Sequence, residues 1–324
     1  MIRLKGKGSL SRIWLIIKKS SAGLANDRLL KYSGALAYFM LFSMGPLLLI
    51  VISISGIFFG RDAVEGRIYL QLVHLVGRDT AIQLQEIIQH AAVGGKTTLS
   101  TIIGLVFLIL GASSVFTEMQ DSINIIWGLK LKPKSGFVAF LMNRLLTFSM
   151  IIGLGFLLLV SLSISALVEV FGNRLKDLFP NISVILFYVV NNCITLVVTF
   201  FIFAVIFKVL PDAKMIWKDA MAGAVFTTLL FLLGKFAISF YISKIHIGST
   251  YGASGSLVVL LLWIYYSAII LFYGAEFTKY YTLEFGRVIL PRDYAVRVKQ
   301  VEVETGKGAG QLVEERVKNK KLKL

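Results

Sequence analysis

The chain has 324 residues, of which 56% are hydrophobic and only 16% are charged, and its mean hydropathy is +0.78. This composition excludes an ordinary soluble domain and is typical of a protein that crosses a membrane several times. The formal net charge of +16 would indicate nucleic-acid binding in a soluble protein. Here the charges lie mostly outside the apolar stretches, so we expect membrane lipids as partners, with anionic headgroups at the basic termini, and no nucleic acid.

The first 33 residues form a basic segment, 1–33, that precedes the first long apolar stretch. Its sequence "RIWLIIKKSSAGLANDRLLK" is amphipathic, which predicts a helix at the inner membrane interface. Its longest apolar run, Ile13 to Ile17, is too short for the core of a signal peptide. We therefore expect the first membrane helix to act as its own targeting signal.

Six apolar segments are long enough to cross a bilayer, which needs about 20 residues per helix. They predict an all-α, polytopic membrane domain over residues 34–281, with spans at about 34–59, 99–117, 138–170, 182–207, 216–242 and 255–280. Four of the five prolines lie between or after these segments. Pro46 lies within the first segment, where it predicts a kink or break.

Two regions outside the spans have patterns of their own. In the loop 61–98, apolar side chains recur at helical spacing and predict a short amphipathic helix on the outer side; they are Leu84, Ile87, Ile88 and Ala91. The segment 282–324 mixes acidic and basic residues and predicts a mobile tail. No internal repeat is apparent, which leaves open an inverted arrangement of three plus three helices.

The distribution of Lys and Arg predicts the orientation. Of the 34 basic residues, 25 lie in the two termini and the two loops that share their side, and seven lie in the opposite loops. By the positive-inside rule both termini lie in the cytoplasm. Only Arg144 and Lys235 fall within apolar segments.

Four charged residues are expected in one layer near the cytoplasmic ends of the helices, namely Arg144, Glu118, Asp121 and Glu276. Charges at membrane depth are costly, so each of these residues is a candidate for function. We predict that Arg144 pairs with Glu118 or Glu276 and clamps the second, third and sixth helices together. Lys279, one turn after Glu276, is a competing partner. We interpret this layer first as a structural clamp, with a transport site as the alternative.

Other polar residues lie deeper in the apolar segments. Asn191 and Asn192 point about 100° apart on one helix, so at least one of them should face the interior, either bonded to another helix or lining a cavity. Pro46 follows Ser43 in a Ser-x-Gly-Pro break that can expose backbone groups. The candidate interior path comprises Ser43, Pro46, Asn191, Asn192, Tyr265 and Tyr266.

Enzyme chemistry has little support in the sequence. The three histidines, at 74, 90 and 246, lack the spacing of a zinc site, and the single cysteine, Cys193, lies in an apolar stretch. The sequence "GGKTT" lacks the spacing of a phosphate-binding loop. We therefore predict no catalytic residue, no metal site and no cofactor.

Several motifs resemble those of the YihY/virulence factor BrkB family of bacterial inner-membrane proteins. The match runs from about Ser33 to Tyr281, and the motifs that carry it are "SGALAYFMLFSMGPLLLIVI", "FTEMQDSINIIWGLK", "FKVLPDAKMIWKDAMAGA" and "YGASGSLVVLLLWIYYSAIILFYGAEFTKYY". The resemblance implies a six-helix protein of the bacterial inner membrane. It also implies a link with the cell envelope. Members of the family have been labelled ribonucleases, but the residues of this chain provide no set of catalytic groups for that activity.

Two functions follow from the residues. The first is transport or permeation of a lipid or small solute of the envelope along the polar interior path. The second is a structural or scaffolding role, in which the same polar groups only bond helices to one another. Ribonuclease activity is a distant third hypothesis.

Overall fold

The structure, a computed structural model, describes residues 9–43, 66, 69, 81, 82, 85, 114–132, 180–244 and 255–298. These residues are mostly helical, as the sequence predicts. The elements in chain order are α1 (Ser9–Asn26), α2 (29–43), α3 (114–126), β1 (Leu129–Leu131), α4 (Pro180–Val209), α5 (Trp217–Lys244), α6 (Gly255–Glu284) and β2 (Ala295–Arg297).

Three of these helices, α4, α5 and α6, are long and apolar enough to cross a membrane. They correspond to the predicted segments 182–207, 216–242 and 255–280. Pro180 begins α4, where its missing N–H costs no hydrogen bond. Gly286, at φ 73°, ends α6 with bonds from its own N–H and that of Arg287 back to the last turn.

The other predicted elements are only partly described. The spans 138–170 and most of 99–117 lie outside the described residues, as do 44–59 of the first span and its Pro46. Three other predicted features also lie outside the described residues. They are the apolar stripe of the loop 61–98 (Leu84, Ile87, Ile88 and Ala91), the basic residue Arg144, and residues 299–324 of the predicted tail.

Helix α5 packs against both α4 and α6, and each pair is antiparallel. The ring of Phe231 in α5 contacts Phe203 in α4 and Trp263 in α6, with centroids 6.0 and 6.2 Å apart. Helix α6 is the most buried of the three, because α1 packs on it as well as α5. One face of α5 is exposed and apolar; it carries Val225, Leu229, Leu233, Phe236 and Phe240.

Helix α1 lies against α6 rather than apart from the bundle. Ile16, Ser20 and Gly23 form its buried face, while Trp14 is 70% exposed. The hydroxyl groups of Ser21 and Tyr273 of α6 are 2.8 Å apart. The amphipathic pattern of the first 33 residues therefore includes a face that packs on protein.

A two-stranded antiparallel sheet departs from the predicted all-α fold. Leu129 of β1 pairs with Arg297 of β2, and Gly128, at φ 67°, accepts a bond from the N–H of Val298 at 2.7 Å. The predicted tail begins at residue 282, but the described residues continue α6 to Glu284 and return to β1. This return was not predicted because the pairing joins positions more than 160 residues apart.

Candidate functional site

Three charged residues meet where α1 and α6 touch. The Lys279 ammonium bonds the Glu276 carboxylate at 3.0 Å and the Asp27 carboxylate at 2.7 Å. We call Asp27, Glu276 and Lys279 the charged triad. The Glu276 side chain is 0% exposed, that of Lys279 19% and that of Asp27 32%, so Glu276 lies behind the other two as seen from solvent.

The sequence of α1 explains how a glutamate comes to be fully buried. Gly23 lies directly on the Glu276 side chain, and a Cβ atom at position 23 would lie 2.7 Å from its Cδ. The helix then ends in a turn in which the Asp27 N–H bonds the Gly23 carbonyl at 2.9 Å. Arg28 in this turn has a φ of 53°, a conformation that closes helices. The turn brings Asp27 to Lys279.

The charges of the triad do not balance. Two carboxylates face one ammonium group, which leaves a net charge of −1 when all three groups are ionised. Glu276 uses Oε1 for Lys279, and its buried Oε2 has no hydrogen-bond partner among the described residues. Buried carboxylate oxygens are ordinarily bonded, so this atom requires an explanation.

A short repeat holds α6 against α5 at the level of Glu276. The sequences "GAVFT" (223–227) and "GAEFT" (274–278) lie opposite each other on the antiparallel helices. Gly223 faces Thr278 and Gly274 faces Thr227, so closely that a Cβ atom added to either glycine would lie within 3.0 Å of the threonine Cβ. Each threonine hydroxyl donates to the carbonyl of the glycine four residues earlier, at 2.7 Å.

The repeat therefore acts as a local two-fold contact. Phe226 and Phe277 stack across it with centroids 3.9 Å apart, and Ala224 and Ala275 are fully buried. Glycines allow such close approach of membrane helices. Only the middle position breaks the symmetry, since Val225 is half exposed where Glu276 is buried. This five-residue repeat was not predicted from the sequence, in which no internal repeat is apparent.

The candidate path residues within the described part of the chain lie on different surfaces. Tyr265 faces α2, where a Cβ on Gly34 would be 3.9 Å from its ring, whereas Tyr266 packs on Gly234 of α5. Ser43 is buried in α2 and Asn192 is on an exposed position of α4. Pro46 and the Asn191 side chain lie outside the described residues. Whether these groups share one path stays a prediction.

The predicted clamp is described only in part. Glu276 bonds Lys279, the competing partner, while Arg144 lies outside the described residues. Glu118 is half-buried and accepts a 3.4 Å bond from Ser122 of its own helix, and Asp121 is exposed. A pair between Arg144 and Glu118 stays a prediction.

A second polar cluster, centred on Asp212, lies between α4 and α5. The Asp212 carboxylate accepts bonds from Gln120 at 3.0 Å, Asn124 at 2.8 Å and Tyr294 at 3.1 Å. Burial raises the pKa of Asp212 above its ordinary value, although these bonds and the charge of Arg292 act to lower it. The cluster joins α3, the α4–α5 connection and the segment after α6.

More ion pairs lie at the same end of α4, α5 and α6. Arg287 pairs with the buried Asp219 in the first turn of α5, and Lys19 of α1 pairs with Glu284 at 3.1 Å. On the surface, a hydrogen bond from Lys214 at 2.7 Å lowers the pKa of Asp293. Charged side chains thus concentrate where α5 begins and α4 and α6 end.

This arrangement suits the handling of charge. Within the described ranges, no three His, Cys, Asp or Glu side chains come together as a metal site would require. The triad places an ammonium group and a carboxylate between solvent and a buried acid. Such an arrangement can bind, hold or exchange a small positive charge.

Two members of this site, Asp27 and Gly23, were not predicted from the sequence. Asp27 and Gly23 lie about 250 residues from Glu276, and their distance along the chain hid the contact. The Asp212 cluster was also missed, although its signals were present: an aspartate directly after Pro211, and Gln120 and Asn124 one helical turn apart.

Comparisons with known proteins place the chain among bacterial membrane proteins. It is 25% identical to a UPF0761 membrane protein of Haemophilus influenzae (strain 86-028NP), over 78% of this chain and 89% of that one. It is 26% identical to a UPF0761 membrane protein of Vibrio campbellii (strain ATCC BAA-1116), over 84% and 82%. It is also 25% identical to a protein of Bacillus subtilis (strain 168) that is named as ribonuclease-like, YfkH, over 75% and 86%.

No solved structure matches the chain significantly. The family described as "Virulence factor BrkB" matches residues 21–292, which include all three members of the charged triad, the α5–α6 repeat and the Asp212 carboxylate. This match covers most of the chain and agrees with the motifs noted in the sequence. The chain is therefore a membrane protein that belongs to the virulence factor BrkB family.

Proposed function

We propose that this chain is a multi-pass protein of the bacterial cytoplasmic (inner) membrane that moves a lipid or small solute of the envelope. The observation that carries the proposal is Glu276, a fully buried acid in the apolar helix α6 with one carboxylate oxygen unpartnered among the described residues. Ionisable groups within membrane spans are costly and commonly mark the paths of transported species.

The proposed topology has six membrane helices and both termini in the cytoplasm. Its support is the bias of Lys and Arg toward the termini and the loops on their side. In this orientation the ends of α4 and α6 and the start of α5 face the cytoplasm. The charged triad then lies at the cytoplasmic end of the last membrane helix.

The proposed path is lined by Ser43, Pro46, Asn191, Asn192, Tyr265 and Tyr266. Support comes from the sequence, in which all six are polar or helix-breaking positions within apolar segments. The two tyrosines place phenol groups within the apolar span of α6. The triad lies nearly three turns further along the same helix.

The proposal is tested by flux in proteoliposomes that contain the purified full chain. The probes are fluorescent phosphatidylethanolamine and phosphatidylglycerol for lipid movement, and carboxyfluorescein for a small anionic solute. We expect at least one probe to move faster than in protein-free vesicles. We also expect Asn192→Leu to slow that probe while the protein stays folded.

The opposite result would favour the structural role. If no envelope lipid or solute moves faster than in protein-free vesicles, the transport proposal is removed. If flux is present and Asn192→Leu leaves it unchanged, the result contradicts the proposed path but not the transport function.

We also propose that the chain is not an enzyme, and we do not extend the ribonuclease-like name of YfkH to it. The support is the histidine spacing, which fits no metal site, and the predicted topology, which places all three histidines on the outer side. Cleavage of RNA by the purified protein that survives both metal removal and substitution of the three histidines would contradict this proposal.

A further inference from the structure

We propose that the charged triad is a proton-binding site at which Glu276 takes up one proton on Oε2. The inference deepens the proposed function, because it names the charge that this site would exchange during transport. The contacts on which the inference rests do not depend on whether the chain transports a lipid or solute. Three properties of the triad support it, namely its charge, its chemistry and its access to solvent.

The charge of the triad leaves room for one more positive charge. Asp27 and Glu276 share the single ammonium group of Lys279, at 2.7 and 3.0 Å. The neighbouring pairs Lys19–Glu284 and Arg287–Asp219 are each balanced within themselves. Asp219 also has an unpartnered buried oxygen among the described residues, but it has Arg287 beside it, so of these three groups only the triad carries uncompensated charge.

The groups that face Glu276 from the elements around it select a proton over a metal cation. Among the described residues, the charged groups that act on Glu276 are Lys279 of its own helix and Asp27 of the turn after α1. The Tyr280 ring lies 5.3 Å from the Lys279 nitrogen and contributes a phenol on the same side. An ammonium group at 3.0 Å repels a sodium ion, which would also need several oxygen ligands, whereas a proton needs only Oε2.

Proton binding balances the site. The Glu276 carboxylate gains a proton and becomes a neutral acid, and its new O–H becomes a donor. The Lys279 ammonium keeps its bond to Asp27, and the two form a neutral pair. The net charge of the triad then changes from −1 to zero, and no ionised group of the triad lacks a partner.

Access to Oε2 runs through the exposed members of the triad. Asp27 is 32% exposed and Lys279 is 19% exposed, while Glu276 is fully covered. A proton from solvent can therefore reach Asp27 first and pass inward to Glu276. Gly23 keeps the route short because it brings the α1 backbone onto the glutamate.

Infrared difference spectroscopy of the full chain in lipid nanodiscs tests the inference. On acidification from mildly alkaline buffer, we expect a carboxylic-acid carbonyl band that shifts in heavy water. In Glu276→Gln we expect the loss of one protonating group per chain. The matched control is Glu284→Gln, which makes the same change two turns along α6 in a balanced pair and should retain the full band.

Asp27→Asn provides a second test that does not touch the buried position. With Asp27 neutral, Lys279 balances Glu276 alone, so we expect proton uptake in the same range to fall as in Glu276→Gln. If Glu276→Gln does not fold, proton uptake by Asp27→Asn alone tests the inference. Uptake equal to wild type in the variants that fold would overturn the inference.

A sodium titration at fixed pH separates the two possible ligands. If sodium chloride, but not choline chloride, alters the carboxylate bands that Glu276→Gln removes, the ligand is a metal cation and the inference is overturned. Because these measurements need no flux, proton uptake without any probe movement would leave this inference standing and remove only the transport proposal.

Discussion

A glycine in one helix allows a glutamate in another to be buried. At Gly23 a methyl group would meet the Glu276 carboxyl carbon at 2.7 Å, and the neighbouring Cγ at 2.8 Å. We predict that Gly23→Ala lowers stability by about 1–3 kcal/mol, because either α1 must lift away or the buried Glu276 side chain must shift. Thermal unfolding in detergent measures the change.

The control for this substitution is Gly66→Ala. A Cβ atom at position 66 meets nothing within 4 Å, and residue 66 is helical. Alanine is favoured over glycine in helices, so this variant should be as stable as wild type or more stable. Equal effects of the two substitutions would show that α1 does not pack on Glu276 as described.

Asp212 makes a different kind of contribution, which is structural. Asp212→Ala would leave the amides of Gln120 and Asn124 and the hydroxyl of Tyr294 without their acceptor. We predict a loss on the order of 3 kcal/mol, because buried donors without partners are costly. The measurement is the unfolding temperature, with Asp293→Ala as the control, since that exposed carboxylate should be replaceable without measurable effect.

Sequence reasoning at the residue scale identified Glu276 and one of its partners. The end of an apolar run placed the acid, and helical spacing placed Lys279 beside it. It did not find Asp27 or Gly23, because the pattern of α1 shows that one face is apolar but does not show what covers that face. Spacing within a helix is local, whereas burial depends on contacts from distant segments.

At the scale of elements, the α5–α6 contact depends on paired glycines and threonines. Thr278 occupies the space above Gly223, and Thr227 occupies the space above Gly274. We predict that Gly223→Ala destabilises the protein and that adding Thr278→Ala relieves part of the loss, because it removes the hydroxyl oxygen, which is the threonine atom nearest the new methyl group. A double-mutant cycle on unfolding temperature measures this coupling.

The symmetry of the repeat predicts a second cycle of similar size. Gly274→Ala with Thr227→Ala should show coupling of the same sign and comparable magnitude as the first cycle. Gly223→Ala combined with Ser267→Ala is the control, because Ser267 bonds Trp263 of its own helix and lies about three turns along α6 from Thr278. Additive effects in both symmetric cycles would rule out the close two-fold contact.

The helices were predictable and the short elements were not. Long apolar runs bounded by Pro180, Pro211 and Pro291 predicted α4, α5 and α6. The sheet of β1 and β2 has only three residues in each strand, and its register depends on a distant partner. Charge alternation predicted a mobile tail from residue 282, but it could not reveal that residues up to Val298 return to α3 and β1.

At the scale of the whole molecule, the proposed orientation can be tested with single cysteines. Cys193 is the only cysteine, so Cys193→Ser provides a background without thiols. We predict that Lys132→Cys and Lys214→Cys, both exposed at the charged end, react with a membrane-impermeant maleimide only after intact cells are opened. Labelling of either position in intact cells would contradict the proposed orientation and place this end of the helices outside the cytoplasm.

The most direct measurement of the central claim is probe flux through Glu276→Gln proteoliposomes, compared with Glu284→Gln and with wild type at equal amounts of folded protein. The substitution keeps the shape of the side chain and removes its charge. If Glu276 serves transport, the flux should fall at least ~10-fold, an effect of about 1.4 kcal/mol, while the unfolding temperature stays near that of wild type. Flux equal to that of Glu284→Gln, together with a lower unfolding temperature, would make the triad a structural device and contradict the account.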